Sequence, residues 1–340
     1  MKDAAYRQFA TARCRTAYIE VGPADGPLMI FLHGWPHLGL TWRPQLAHFA
    51  AAGWRCIAPD LRGYGGSSIP TRAADYSVRE VVADMTELHD ALGGKPAVWV
   101  GHSNGSTIAW AMATHHADRC CGVVNLTMPH FARGNALPNF IPLIDRAIYP
   151  VDRYPVGQWD YMLFCNQHFT KAVHDFDANI GRVIDMSYTP GSPDAVGKLT
   201  PLASISAQGG WFPAGSKAPQ VQASETLLSP IDHKVMLASF ARNGFSGPCA
   251  WYLNDAANIA FAAEAPDYGR ISVPALFLGG QWDTVCDTAY GHLAEPMRED
   301  CSNLTEVSIA AGHMLMLERP DEVNRRIADW LSGQHLSSAG

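Results

Sequence analysis

Short runs of consecutive apolar residues recur along the first third of the chain, separated by segments in which apolar and polar positions mix. The runs are Leu28–Leu32, Cys56–Ala58, Ala97–Val100 and Val123–Leu126. Uninterrupted apolar runs of this length, spaced by helix-like segments, predict parallel strands buried on both faces of one sheet. The alternation returns late, with Ala275–Leu278 and Leu304–Ile309. A final helix is expected over 321–331, because Val323, Ile327, Trp330 and Leu331 fall at helical spacing.

The stretch between these two blocks reads differently. From about 131 to 255 it is rich in aromatic residues, proline and glycine, as in Asn139-Phe140-Ile141-Pro142 and Gly209-Gly210-Trp211-Phe212-Pro213, with no clear strand pattern. It predicts a mainly helical insertion, a cap, between two strands of a sheet built from residues 1–130 and 256–340. A separate second domain is the alternative. The cap is favoured because the sheet pattern resumes afterwards and must close on the first half.

Composition narrows the function classes. Of 340 residues, 47% are hydrophobic and the formal net charge is −7, with no basic run, so a nucleic-acid surface is not expected. No apolar run is long enough to span a membrane. The opening residues are polar and mixed in charge, without the apolar stretch of an export signal, so the expected location is the cytoplasm. The eight cysteines form no CxxC pair and do not cluster with histidines at ligand spacing, so free thiols are expected and no metal or cofactor.

The chemistry concentrates at strand ends. Gly101-His102-Ser103-Asn104-Gly105 fits G-x-S-x-G between the run Ala97–Val100 and an expected helix over 107–115. A serine on so sharp a turn needs small neighbours two residues to either side, and the turn lifts its hydroxyl above the sheet. His33-Gly34-Trp35-Pro36 follows the first apolar run, where an oxyanion loop would sit. The backbone N–H groups of Trp35 and Asn104 are then the expected oxyanion donors. Asp283 ends Gly279-Gly280-Gln281-Trp282-Asp283, directly after an apolar run, and Asp287 is a rival acid in the same loop. Among 14 histidines, His313 stands out by its place between a strand and Glu318-Arg319-Pro320. Ser103, Asp283 and His313 are read as nucleophile, orienting acid and general base. His33 and His102 are read as substrate-facing.

These motifs, together with Asp60-Leu61-Arg62-Gly63-Tyr64-Gly65-Gly66-Ser67-Ser68 and Ala311-Gly312-His313, resemble the α/β-hydrolase superfamily, and most of all its epoxide hydrolase branch. The resemblance implies an α/β-hydrolase fold: a mostly parallel central sheet with helices on both faces and an inserted helical cap. It also implies that Tyr161, in Trp159–Phe164, and Tyr252, in Gly244–Asn254, stand in the cap above Ser103 and bind substrate.

One position departs from that branch. Epoxide hydrolases carry aspartate at the elbow, usually followed by tryptophan; here the residues are Ser103 and Asn104. A serine that opened an epoxide would form an ether, which His313 and water could not hydrolyse. Serine suits attack on a carbonyl and an acyl-enzyme. The expected activity is therefore hydrolysis of a carboxylic ester or lactone, with a bulky, apolar and even macrocyclic substrate suggested by the aromatic cap. An epoxide hydrolase-like enzyme, or an inactivated variant of one, and a non-catalytic ligand receptor are the competing readings. The expected partner is the small-molecule substrate; monomer and homodimer both fit.

Overall fold

The computed structural model describes residues 4–213, 217–222 and 225–336. Its centre is an eight-stranded sheet with strands β1 (Ala5–Ala10), β2 (Arg15–Val21), β3 (Leu28–Leu32), β4 (Arg55–Pro59), β5 (Ala97–His102), β6 (Cys120–Leu126), β7 (Ala275–Gly280) and β8 (Leu304–Ile309). Their spatial order is β1-β2-β4-β3-β5-β6-β7-β8. The strands from β3 to β8 run parallel, while β2 pairs antiparallel with both β1 and β4. This is the mostly parallel α/β-hydrolase sheet that the apolar runs and the family motifs predict.

Strands β3, β5 and β7 are buried at every position, as expected of strands covered on both faces. Helices α1 (Arg43–Ala51), α2 (Val78–Ala91) and α3 (Asn104–His115) follow the early strands. The expected helix over 107–115 begins three residues sooner, because the turn at Ser103 passes directly into α3. The two antiparallel strands β1 and β2 were not foreseen. Strand β1 is largely exposed and carries Tyr6, Arg7 and Gln8, so it lacks an apolar run.

Between β6 and β7 no strand occurs among the described residues. That stretch holds α4 (Leu137–Phe140), α5 (Asp160–Gln167), α6 (Phe169–Asp177), α7 (Ile180–Ser187), α8 (Pro230–Asn243), α9 (Ser246–Ala250) and α10 (Asp255–Ala262). The chain closes with α11 (Glu295–Asp300), α12 (Leu315–Glu318) and α13 (Pro320–Gly333). Helix α13 covers the expected 321–331 and buries Val323, Ile327, Trp330 and Leu331.

A buried ion pair joins the sheet's flank to the inserted segment. Arg62 grips Asp84 on α2 through two hydrogen bonds of 2.7 and 2.6 Å, with both side chains almost fully enclosed. The carbonyl of Arg62 accepts a hydrogen bond from the Trp251 indole at 3.1 Å. All eight cysteines are free thiols, and among the described residues no helix is long and apolar enough to cross a membrane.

Candidate active site

Ser103 sits between β5 and α3 with φ 54° and ψ −122°, a backbone conformation that an L-residue rarely adopts. Its glycine neighbours are dictated by packing. A Cβ on Gly101 would lie 2.5 Å from the Ser106 Cα, and one on Gly105 would lie 2.1 Å from the Leu32 carbonyl oxygen. The elbow therefore rests against β3, and the loop that follows β3 reaches the serine. A Cβ on Gly34 would fall 3.1 Å from the Ser103 Oγ.

Two backbone amides border this point. The N–H groups of Trp35 and Asn104 donate to no other group among the described residues. Asn104 is the first residue of α3, so its N–H is one of the donors that a helix start leaves unpaired. The Trp35–Pro36 peptide is cis. The Trp35 indole packs against Phe176, Trp211 and Phe245, with ring centroids 5.1, 6.0 and 6.0 Å away.

His313 Nδ1 donates to Asp283 Oδ2 at 2.8 Å. The other carboxylate oxygen, Oδ1, accepts from the N–H groups of Val285 at 2.9 Å and Cys286 at 3.0 Å. Burial alone would raise the Asp283 pKa. The charge and hydrogen bond of His313 and the two amides outweigh it, so the carboxyl is held below its usual range. With its Nδ1 proton given to Asp283, His313 keeps the Nε2 lone pair for a proton acceptor's role. No hydrogen bond joins Ser103 to His313; such contacts often tighten only when substrate binds. The rival acid, Asp287, instead accepts from the Tyr290 N–H at 2.9 Å.

The loop of His313 is fastened from two sides. Glu318 Oε1 accepts from the Gly312 N–H at 2.9 Å. His102 Nε2 lies 2.8 Å from the His313 carbonyl oxygen, and because a carbonyl only accepts, the His102 proton is on Nε2. The two imidazoles are 4.9 Å apart.

His102 and His33, read from the sequence as substrate-binding, are both engaged by backbone groups. Both are fully buried. His33 Nε2 accepts from the Leu61 N–H at 2.9 Å and its Nδ1 donates to the Gly34 carbonyl at 2.8 Å, so neither nitrogen is free. Burial lowers the His33 pKa to about 4 and the His102 pKa to about 3, which keeps both neutral. His33 braces the oxyanion loop and His102 ties the elbow to the loop of His313.

Tyr161, on α5, and Tyr252, after α9, meet edge to face with centroids 5.5 Å apart. Both are buried, and burial raises both pKa values well above the usual phenol range. Tyr161 lies near Asp283 and Cys286, and Tyr252 stands beside the Asn104 side-chain amide. The pair thus spans from the acid side of the site to the elbow side.

Sequence reasoning missed Cys286, whose sulfur lies with the Asp283 and His313 ligating atoms inside a span of 4.8 Å. It is the one group of possible metal ligands among the described residues, and its carboxylate and imidazole are already bonded to each other. Also missed were Phe176 and Phe245; aromatic residues are so common in this segment that none stood out.

The geometry agrees with known proteins. A family model described as the alpha/beta hydrolase fold matches residues 27–163. Epoxide hydrolase A of Mycobacterium tuberculosis (strain ATCC 25618 / H37Rv) is 30% identical over 330 residues, 95% of each chain. This chain belongs to the α/β-hydrolase superfamily, in its epoxide hydrolase-like branch. Two solved structures extend the likeness to the whole hydrolase. Epoxide hydrolase A from Mycobacterium thermoresistibile superposes with a TM-score of 0.78 at 27% identity, covering 97% of this chain and 98% of that one. An epoxide hydrolase from an endophytic Streptomyces gives 0.78 at 28% identity, covering 99% and 98%.

Proposed function

We propose that this hydrolase cleaves a carboxylic ester or lactone through an acyl-enzyme on Ser103. The observation that carries the reading is the hydroxyl nucleophile itself: Ser103 is held at φ 54° at a helix start, between two undonated backbone amides. In this scheme His313 Nε2 takes the Ser103 proton as Oγ attacks the carbonyl carbon. The resulting oxyanion accepts from the Trp35 and Asn104 N–H groups, and Asp283 stabilises the imidazolium. Collapse expels the alcohol with the proton from His313. Water activated by His313 then repeats the sequence and releases the acid. Tyr161 and Tyr252 contribute hydrogen bonds to the substrate in the cap.

Epoxide opening is the second reading. It is favoured by the relatives named epoxide hydrolases and by the paired tyrosines, whose hydroxyls could protonate an epoxide oxygen. An alkylated Ser103 would be an ether with no carbonyl for water to attack, so this route halts after one turnover. A direct attack by water, with no covalent intermediate, is the form of epoxide chemistry that could turn over.

A fluorophosphonate label, followed by turnover on activated esters, lactones and a styrene oxide, separates the two. Labelling at Ser103 with multiple turnovers on an ester or lactone and none on the epoxide is expected. Sustained diol formation from the epoxide, with Ser103 intact, would overturn the esterase reading.

A further inference from the structure

Tyr161, Tyr252 and Asn104 line one side of a small recess between α3 and the inserted segment, with room for about one water-sized group, and the rest of its polar lining is not used by the chemistry above. Thr107 lies one helical turn beyond Ser103 on α3 and faces this recess. A helical threonine commonly returns its hydroxyl to the carbonyl four residues back; the Thr107 Oγ1 is enclosed and has no partner. Asn135, in the loop before α4, lines the same recess with an enclosed and unpartnered Nδ2. The Asn104 amide lies beside the Tyr252 hydroxyl without completing a hydrogen bond. Asp255, at the start of α10, is a third kind of group in the lining. Its Oδ2 accepts a long bond of 3.3 Å from the Leu137 N–H, and no cation pairs with it among the described residues.

Enclosed polar atoms without partners cost stability unless something satisfies them. Here hydrogen-bond donors and a carboxylate acceptor line one recess that borders the tyrosine pair. A wholly apolar substrate would leave all of them unsatisfied. A hydroxyl group both accepts and donates, so it satisfies a Thr or Asn donor and the Asp255 carboxylate together.

We propose that this recess is a subsite for a hydroxyl-bearing arm of the substrate, held by Thr107, Asn135 and Asp255 beyond the tyrosine pair. The assignment rests on Ser103 as the reacting centre. It changes the expected substrate from a wholly apolar ester to one with an apolar body and a hydroxylated arm.

The test uses para-nitrophenyl esters of hexanoic acid whose terminal carbon carries a hydroxyl, a methyl in its place, or an ammonium. A matching series carries the same groups on the alcohol side. Two readouts are taken: kcat/KM for the intact enzyme, and tryptophan-fluorescence binding of the same esters to Ser103→Ala. In at least one series the hydroxyl ester is expected to exceed the methyl ester by about tenfold in both readouts. That ratio should fall towards one in Thr107→Val, in Asn135→Leu and in Asp255→Leu, and survive in Thr107→Ser. Comparing the ratio within each protein separates recognition from any general loss of folding. A ratio near one for the intact enzyme in both series, or one unchanged in the Thr107→Val, Asn135→Leu double variant, would overturn the subsite. A stronger preference for the ammonium would overturn it in favour of a cation site. Hydroxyl preference in binding with no ester turnover would defeat the acyl-enzyme reading and keep the subsite.

Discussion

At the residue scale, the site joins a strained serine to a histidine that is oriented by a buried carboxylate. Ser103→Ala and His313→Ala should each lower ester turnover by at least about 10³-fold, with similar losses because the two act as a unit. Asp283→Asn should cost roughly 10³–10⁴-fold, since an amide cannot hold the Nδ1 proton in place or stabilise the imidazolium. The measurement is kcat/KM on one activated ester. If Asp283→Asn were fully active and Asp287→Asn were not, the acid assignment would be wrong. Tyr161→Phe and Tyr252→Phe should each cost only about three- to tenfold, the worth of one hydrogen bond. Turnover should survive prolonged EDTA treatment, because no step in the scheme draws on a metal; loss of activity restored by zinc would implicate the Asp283, Cys286 and His313 cluster. The serine, aspartate and histidine positions were legible because each sits on a motif at a strand end. The backbone partners of His33 and His102 were not legible, because a sequence cannot show that a ring nitrogen is taken by a backbone group. The resemblance also gave no hint that Thr107 and Asn135, which match no motif, would face the same recess.

At the element scale, the strands that are buried on both faces could be read directly. Their apolar runs leave little room for another interpretation, and β3, β4, β5, β6 and β7 all lie where runs occur. Strand β1 escaped because an edge strand exposes polar side chains and needs no apolar run, and β2, though paired on both sides, escaped because its apolar residues are interrupted by polar ones. The inserted segment was legible only as helical and aromatic. Its individual helices, several of them a single turn, are set by tertiary packing rather than by local periodicity. The same dependence on tertiary partners makes the Arg62–Asp84 pair a sensitive point. Asp84→Ala leaves the buried Arg62 guanidinium with only a longer ion pair to Glu80, at 3.7 Å, and should lower the unfolding free energy by about 3 kcal/mol in urea titration. Arg62→Met, which removes the charge and keeps much of the volume, should cost less than that. Equal losses would argue against the buried-charge explanation.

At the scale of the whole molecule, burial sets the response to acid. His33, His102 and His130 have folded pKa values of about 4, 3 and 4, below the ordinary 6.5. The unfolded chain therefore binds more protons than the native one between those values and 6.5, so stability rises with pH through this window. The stabilisation is complete above pH 6.5 and drains away as the pH falls towards 4. Each histidine contributes up to about 1.4 kcal/mol per pH unit within its own window. Melting temperature measured from pH 7.5 down to 4.5 should drop steadily, and His130→Gln, remote from the serine, should flatten the slope. A melting temperature independent of pH over that range would contradict the burial assigned to these rings.

The seat of Trp35 carries a kinetic consequence. In the proposed scheme its N–H is one of two donors for the oxyanion, and its indole packs among Phe176, Trp211 and Phe245 of the inserted segment. Whatever shifts those rings also turns the peptide that stabilises the transition state. A substrate too large for the cavity would lift the aromatic wall and pull that donor out of line. Oversized acyl groups are then discriminated mainly through kcat, with little change in KM, so the enzyme would gauge bulk by its rate of reaction rather than by its grip.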